Sequence, residues 1–159
     1  LLNECYLAMG FKSRFVTCMP QKMINDCHVI NSVYSKTLNK WLWMDPTFNA
    51  YVTDEKGNLL GIAEVRERLR NDQPLTLNED ANWNNQSKQT KLYYLDDYMA
   101  KNLYYVVCPL RSEFNAETNY DGKVWSDYVA LVPEGFLQEK ENREAFNISD
   151  SNYFWQAPN

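Results

Sequence analysis

Two segments decide the fold: Cys27-His28-Val29-Ile30-Asn31-Ser32-Val33-Tyr34-Ser35 and, after Thr37-Leu38-Asn39, Lys40-Trp41-Leu42-Trp43-Met44-Asp45-Pro46. The first is rich in Val, Ile and Tyr, and the second alternates Trp41 and Trp43 with Leu42 and Met44, so both read as strands. Thr37-Leu38-Asn39 between them reads as the loop of a hairpin. Pro46 stops the second strand, because it offers no ladder donor and forces the residue before it into extended geometry. A turn centred near Thr37-Leu38 sets the register: Ile30 faces Asp45 and Thr47 faces His28. His28, the only histidine, and Asp45 are then diagonal neighbours on one face of the sheet, within reach of long side chains. At that distance a carboxylate accepts Nδ1–H from the imidazole, fixes its tautomer and steadies an imidazolium.

Upstream of the hairpin, Ser13–Met19 reads as a strand and Pro20–Asp26 as a polar connection. Leu1, Leu2, Cys5, Ala8 and Met9 recur at the spacing of one apolar helix face, and Gly10 is a natural stop. Downstream, Ile62–Arg70 reads as a helix with Ile62, Val65 and Leu69 inward and Glu64, Glu67 and Arg68 outward. Glu64, Arg66, Glu67 and Arg70 read as a solvated face with helix-spaced ion pairs. The Asn-rich stretch 75–88 reads as a long surface loop bordering a cleft or covering a sheet edge. Thr90–Asn102 reads as a helix with Leu92, Leu95 and Met99 on its inner face. Leu103–Cys108 and Asp127–Val132 read as strands, 111–124 as irregular and Gln138–Phe146 as a short charged helix. Trp41 and Trp43 are expected to fill the core, Trp83 and Trp155 to be partly exposed, and Trp125 to join the aromatic set.

The ordered residues Leu1-Leu2, Leu7, Gly10-Phe11, Ser13-Arg14, Val16, then His28 and Val33, then Trp41 and Asp45-Pro46-Thr47, resemble the core of the transglutaminase-like superfamily. There a helix carrying a catalytic Cys leads into a Gly-hydrophobic-x-small-Arg-x-Val strand, followed by an H-x-x-x-x-V strand and a W-x-x-x-D-P-T strand. The likeness covers roughly residues 1–53, about a third of the chain; the order of three motifs carries it. It implies a papain/transglutaminase-like α+β fold, a helix packed on an antiparallel sheet with further helices and strands behind. It also implies a Cys–His–Asp triad with His28 as general base and acid and Asp45 as its orienter. The family nucleophile lies about fifteen residues before the helix-ending Gly, a position about five or six residues upstream of Leu1. The chain is therefore expected to be N-terminally truncated relative to a full catalytic domain, and inactive by itself in covalent catalysis. Ile30 and Ser32 stand where the family often has an aromatic residue and a Glu.

None of the four cysteines reads as the nucleophile. Cys5 falls on the apolar helix face, Cys27 points away from His28, Cys108 belongs to a core strand, and Cys18 pairs with Cys27 if the compartment is oxidising. The 159 residues make a single domain, with the motifs in 1–53 and an extension over 54–159. Hydrophobic residues at 45% and charged residues at 23% describe a globular chain. Sixteen Lys and Arg against 21 Asp and Glu give a net charge of −5, which argues against a nucleic-acid partner. No apolar run approaches a membrane span. No cofactor, metal cluster or phosphate loop is expected; the expected partner is a peptide or protein substrate. The function implied is acyl transfer at amide bonds, hydrolytic (peptidase or amidase) rather than cross-linking. The alternative is a non-catalytic binding or scaffold domain on the same degenerate fold. The wealth of Tyr, Trp and Asn and the Cys18–Cys27 option lean toward an extracytoplasmic bacterial protein, secreted, periplasmic or lipid-anchored, while four cysteines suit a reducing cytosol equally.

Overall fold

A computed structural model describes residues 1–22, 24–116, 121–122, 127–136 and 145–158. Strands β1 (Ser13–Met19), β2 (His28–Ser35) and β3 (Lys40–Met44) form consecutive antiparallel pairs. Four two-residue strands follow: β4 (Val52–Thr53), β5 (Thr76–Leu77), β6 (Asn82–Trp83) and β7 (Ser87–Lys88). With β8 (Tyr105–Pro109), β9 (Tyr128–Leu131) and β10 (Ala145–Ile148), the main sheet has the order β10-β9-β8-β1-β2-β3. The helices are α1 (Leu2–Ala8), α2 (Ile62–Arg70), a π-helix over Leu92–Met99 continued by α3 (Ala100–Asn102), and α4 (Ser151–Phe154). The fold is α+β. The outermost pair β9–β10 is parallel, so the sheet is not antiparallel throughout.

The hairpin forms in the expected register. Asn31 pairs with Met44, and Ser32 with Trp43. Its turn closes through Asn39, at a φ of 52°, and through the hydroxyl of Ser35, which accepts from Leu38 N at 3.1 Å. Asn tolerates the left-handed region better than other side-chain-bearing residues. The same chemistry recurs: Asn49, Asn84, Asn85 and Asn115 also have positive φ, and only Asp72 joins them among the described non-glycine residues. In a chain with five glycines, asparagine makes the turns.

Segment 75–88 contains no helix. It carries β5 and the β6–β7 hairpin, which turns on Asn84 and Asn85 with Gln86 N donating to Trp83 O at 2.9 Å. Its backbone is fastened to the turn after β3, with Asn82 N donating to Phe48 O at 2.8 Å and Asn84 N to Thr47 O at 3.3 Å. Leu75 and Ala81 are buried in the core, so the stretch is anchored rather than purely surface.

α1 ends as its Gly10 predicts. That residue has a φ of 82°, Gly10 N donates to Leu7 O at 3.0 Å and Phe11 N to Tyr6 O at 2.9 Å, the two bonds of a Schellman ending. The buried stripe is not the expected one. Asn3 is its buried residue, and Leu2, Tyr6 and Leu7 are half-buried, while Cys5, Ala8 and Met9 are exposed. Two contacts set this rotation: Tyr6 meets Phe11 edge-on at 6.0 Å, and the Glu4 carboxylate accepts from Asn115 N.

α2 matches its expected span, with Ile62 and Val65 fully buried. Glu64 Oε2 accepts from Gly61 N at 2.8 Å, closing the first turn. Glu64 also binds Lys40 Nζ of β3 at 2.9 Å, and Arg66 donates to Tyr104 O, so these two residues lock the helix to the sheet rather than forming a solvated face. Glu67 and Arg70 do make the expected helix-spaced pair, at 3.5 Å.

The helix expected over Gln138–Phe146 is corrected at its end: Ala145–Ile148 is strand β10, while 137–144 lie outside the described residues, as does Trp125. The main core cluster runs from Val16 on β1 to Phe154 on α4 and includes Ile30, Trp43, Val65, Leu95 and Val106. No helix among the described residues is long and apolar enough to cross a membrane.

Candidate functional site

The core-facing side of the sheet is fixed by direct cross-strand partners: Arg14 with Ser32, Val16 with Ile30, Cys18 with His28, and on β3 Trp43 with Ser32. His28 opens β2 on this face, and Asp45 follows the last residue of β3. Their side chains meet, with His28 Nε2 2.6 Å from Asp45 Oδ2. The contacting nitrogen is Nε2 rather than the expected Nδ1. A diagonal pair is wider apart than a direct one, and the distal ring nitrogen spans the extra distance.

Asp45 is held from all sides. Oδ1 accepts from Thr47 N at 2.9 Å and Phe48 N at 3.2 Å, the Asx-type turn that Asp45-Pro46-Thr47 builds after β3. Oδ2 accepts from His28 and from Tyr94 OH, both at 2.6 Å. Tyr94 in turn accepts from Trp43 Nε1 at 3.2 Å. Four donors converge on a side chain with no solvent exposure, and each lone-pair direction of an ionised carboxylate is used. Because the carboxylate accepts, the imidazole proton belongs on Nε2, and the tautomer follows from this network. Nδ1 is left with a free lone pair. It has no hydrogen-bond partner among the described residues. The His28 side chain is 7% exposed.

Aromatic rings confine the imidazole. Phe48 and Tyr98 meet it edge-on with centroids at 5.3 and 5.4 Å. Burial pushes the Tyr98 hydroxyl up to about 12, with Asp26 and Asp45 adding to the effect. Burial, then the neighbouring Asp45 charge, raises Tyr94 well above the ordinary tyrosine value. Both tyrosines stay protonated donors through the neutral range.

Tyr94 and Tyr98 are the members of the site that sequence reading misses. The i,i+3/i+4 pattern put Leu92, Leu95 and Met99 inward. A π-helix bonds i to i+5, so residues four and five apart share a face, and Tyr94, Leu95 and Met99 turn inward while Leu92 is 73% exposed. The available signal is the Tyr94, Tyr98, Met99 spacing of four and five.

The cysteines divide by exposure. Cys5 and Cys27 are exposed, Cys18 and Cys108 are buried, and all four are free, so Cys18 and Cys27 form no disulfide. Cys18 is the direct cross-strand partner of His28, but its thiol points its hydrogen bond at Val16 O. Burial above all, then the Asp45 charge, pushes it far above the ordinary thiol value, which keeps it from being a thiolate. Cys108 accepts from Arg14 Nη1 at 3.4 Å. No thiol hydrogen-bonds to His28 among the described residues. Those residues also contain no group of His, Cys, Asp and Glu arranged to hold a metal ion. Comparisons with family models, curated protein sequences and solved structures gave no match.

Proposed function

We propose that His28 and Asp45 are the base and orienter of a transglutaminase-like cysteine acyl-transfer site acting on amide bonds. The observation that supports this reading is the 2.6 Å Nε2–Oδ2 pair with Nδ1 left unpartnered, since an orienting carboxylate on one nitrogen directs the other toward the reacting proton. In this reading, as the resemblance implies, the attacking thiol would come from a helix start upstream of α1. Nδ1 takes the thiol proton, the sulfur attacks the carbonyl carbon, and the C–N bond breaks as the imidazolium returns its proton to the leaving amine. Water then cleaves the thioester, giving hydrolysis of a peptide or amide rather than cross-linking.

One observation favours the rival reading of a non-catalytic binding domain: none of the chain's own thiols addresses His28. The full-length chain, including whatever precedes Leu1, separates the two. It should form a covalent adduct with an electrophilic peptide probe, at a cysteine upstream of Leu1, and His28→Ala should abolish the adduct. A full-length chain that stays unmodified, or an adduct indifferent to His28, rejects the enzyme reading in favour of the binding one.

A further inference from the structure

At the other end of the same sheet face, four residues along β1 from Cys18, stands Arg14, a distance of about 13 Å at the usual rise per strand residue. Its guanidinium carbon lies 4.4 Å from the ring of Trp41, 4.9 Å from Phe154 and 5.1 Å from Trp155. Nη2 donates to Phe154 O at 2.9 Å and Nη1 to the thiol of Cys108, a weak acceptor. Nε is buried and has no partner among the described residues. Arg14 takes part in no ion pair among the described residues. Arg14 as a whole is half-buried, and a cation partly withdrawn from water without a counter-charge is costly.

Arg14 lines a cavity of about 340 Å³. Lys12 and Arg111, both exposed and both without an ion pair among the described residues, line it too. None of its described lining residues is Asp or Glu. In a chain with a net charge of −5, three cations and no acid among the described residues that line one cavity make a local reversal of sign. The rest of the wall is largely apolar and aromatic, with Trp41, Tyr153 and Phe154.

We propose that this cavity is a binding site for a small carboxylate carried on an apolar body, of the size of an N-acylated amino acid. The Arg14 guanidinium supplies positive charge at the wall, the two exposed cations draw the anion in, and the aromatic wall takes the apolar remainder. The volume is at the small end of ligand pockets, about 300–1,000 Å³. Burial lowers the pKa of Arg14 from its ordinary value. The site stands apart from His28 and goes beyond the acyl-transfer reading, so it is tested without any activity.

The test is calorimetric titration of the protein with N-acetyl-L-phenylalanine, with its neutral amide and inorganic phosphate as comparisons, while the Trp41 indole resonance is followed by NMR. The acid should bind one site and shift that resonance, and the amide should not bind. Affinity should fall as salt rises, because the exposed cations are screened. Lys12→Gln and Arg111→Gln, both surface changes, should each weaken the acid by about three- to tenfold, while circular dichroism shows the fold retained. The proposal is overturned if the acid shows no saturable binding, if the amide binds as well, or if neither variant matters. It is also overturned if phosphate binds more tightly than the acid, since the aromatic wall would then have no part in recognition.

Discussion

Asp45 shows how one side chain can settle a neighbour's chemistry. Two backbone N–H groups occupy Oδ1, while His28 and Tyr94 share Oδ2, so the carboxylate cannot turn without breaking several bonds. Removing the Tyr94 hydroxyl leaves Trp43 Nε1 without its acceptor and Oδ2 with a single donor. Tyr94→Phe should therefore lower stability by about 1–3 kcal/mol, the cost of stranding buried polar groups, read from urea unfolding midpoints. A value near zero would mean that the tyrosine hydroxyl carries no stability in the network. The thiols give a second check at this scale. Iodoacetamide at neutral pH should modify Cys5 and Cys27 in the native protein and spare Cys18 and Cys108 until it unfolds. Early labelling of Cys18 would contradict its burial against β2.

Among the elements, those read correctly from sequence are the ones whose periodicity is local. β1, β2 and β3 show in their β-branched and aromatic residues, and the short turn between Ser35 and Lys40 fixes the register that brings Asp45 to the His28 side. α2 shows in Ile62, Val65 and Leu69. Two kinds of information were not local. The π-helical winding of Leu92–Met99 changes the period itself, which hid Tyr94 and with it a quarter of the donors on Asp45. The rotation of α1 depends on Phe11 and Asn115, one of them far along the chain, so its apolar stripe pointed to the wrong face. Gly61 is a case where a distant contact does fix a residue: a Cβ there would lie 2.3 Å from Trp41 O of β3. Gly61→Ala must push α2 away from the sheet, and a loss of about 1–3 kcal/mol is expected in the same urea experiment, as for other overpacked contacts. An unchanged midpoint would show that α2 can shift freely against β3.

Over the whole molecule, protonation couples to folding at both ends of the pH range, with opposite signs. Asp54, Glu55 and Asp80 are lowered, chiefly by hydrogen bonds from Asn58, the Glu55 backbone and Asn78 respectively, so their contribution is present above the ordinary carboxylate range and lost as acid protonates them. Five groups, two of them on the sheet, two on the π-helix and one on α1, behave the other way. Burial raises Cys18, Cys108, Tyr94, Tyr98 and Tyr6, so the folded state prefers their neutral forms. For a raised pKa the contribution is complete below the unfolded value and disappears as pH climbs toward the folded one. The unfolded thiols lose protons from near their ordinary value of 9.0 and the tyrosines from near 10.0, while the folded protein holds on to them. Stability should accordingly be level through neutral pH and fall between about pH 8 and about pH 10.5. Urea midpoints across that range measure it, and Cys18→Ala should reduce the alkaline slope because one of the five groups is gone. A midpoint that does not move up to about pH 10.5 would mean that these groups ionise as freely in the folded chain as in the unfolded one, and that the core around His28 is open to water.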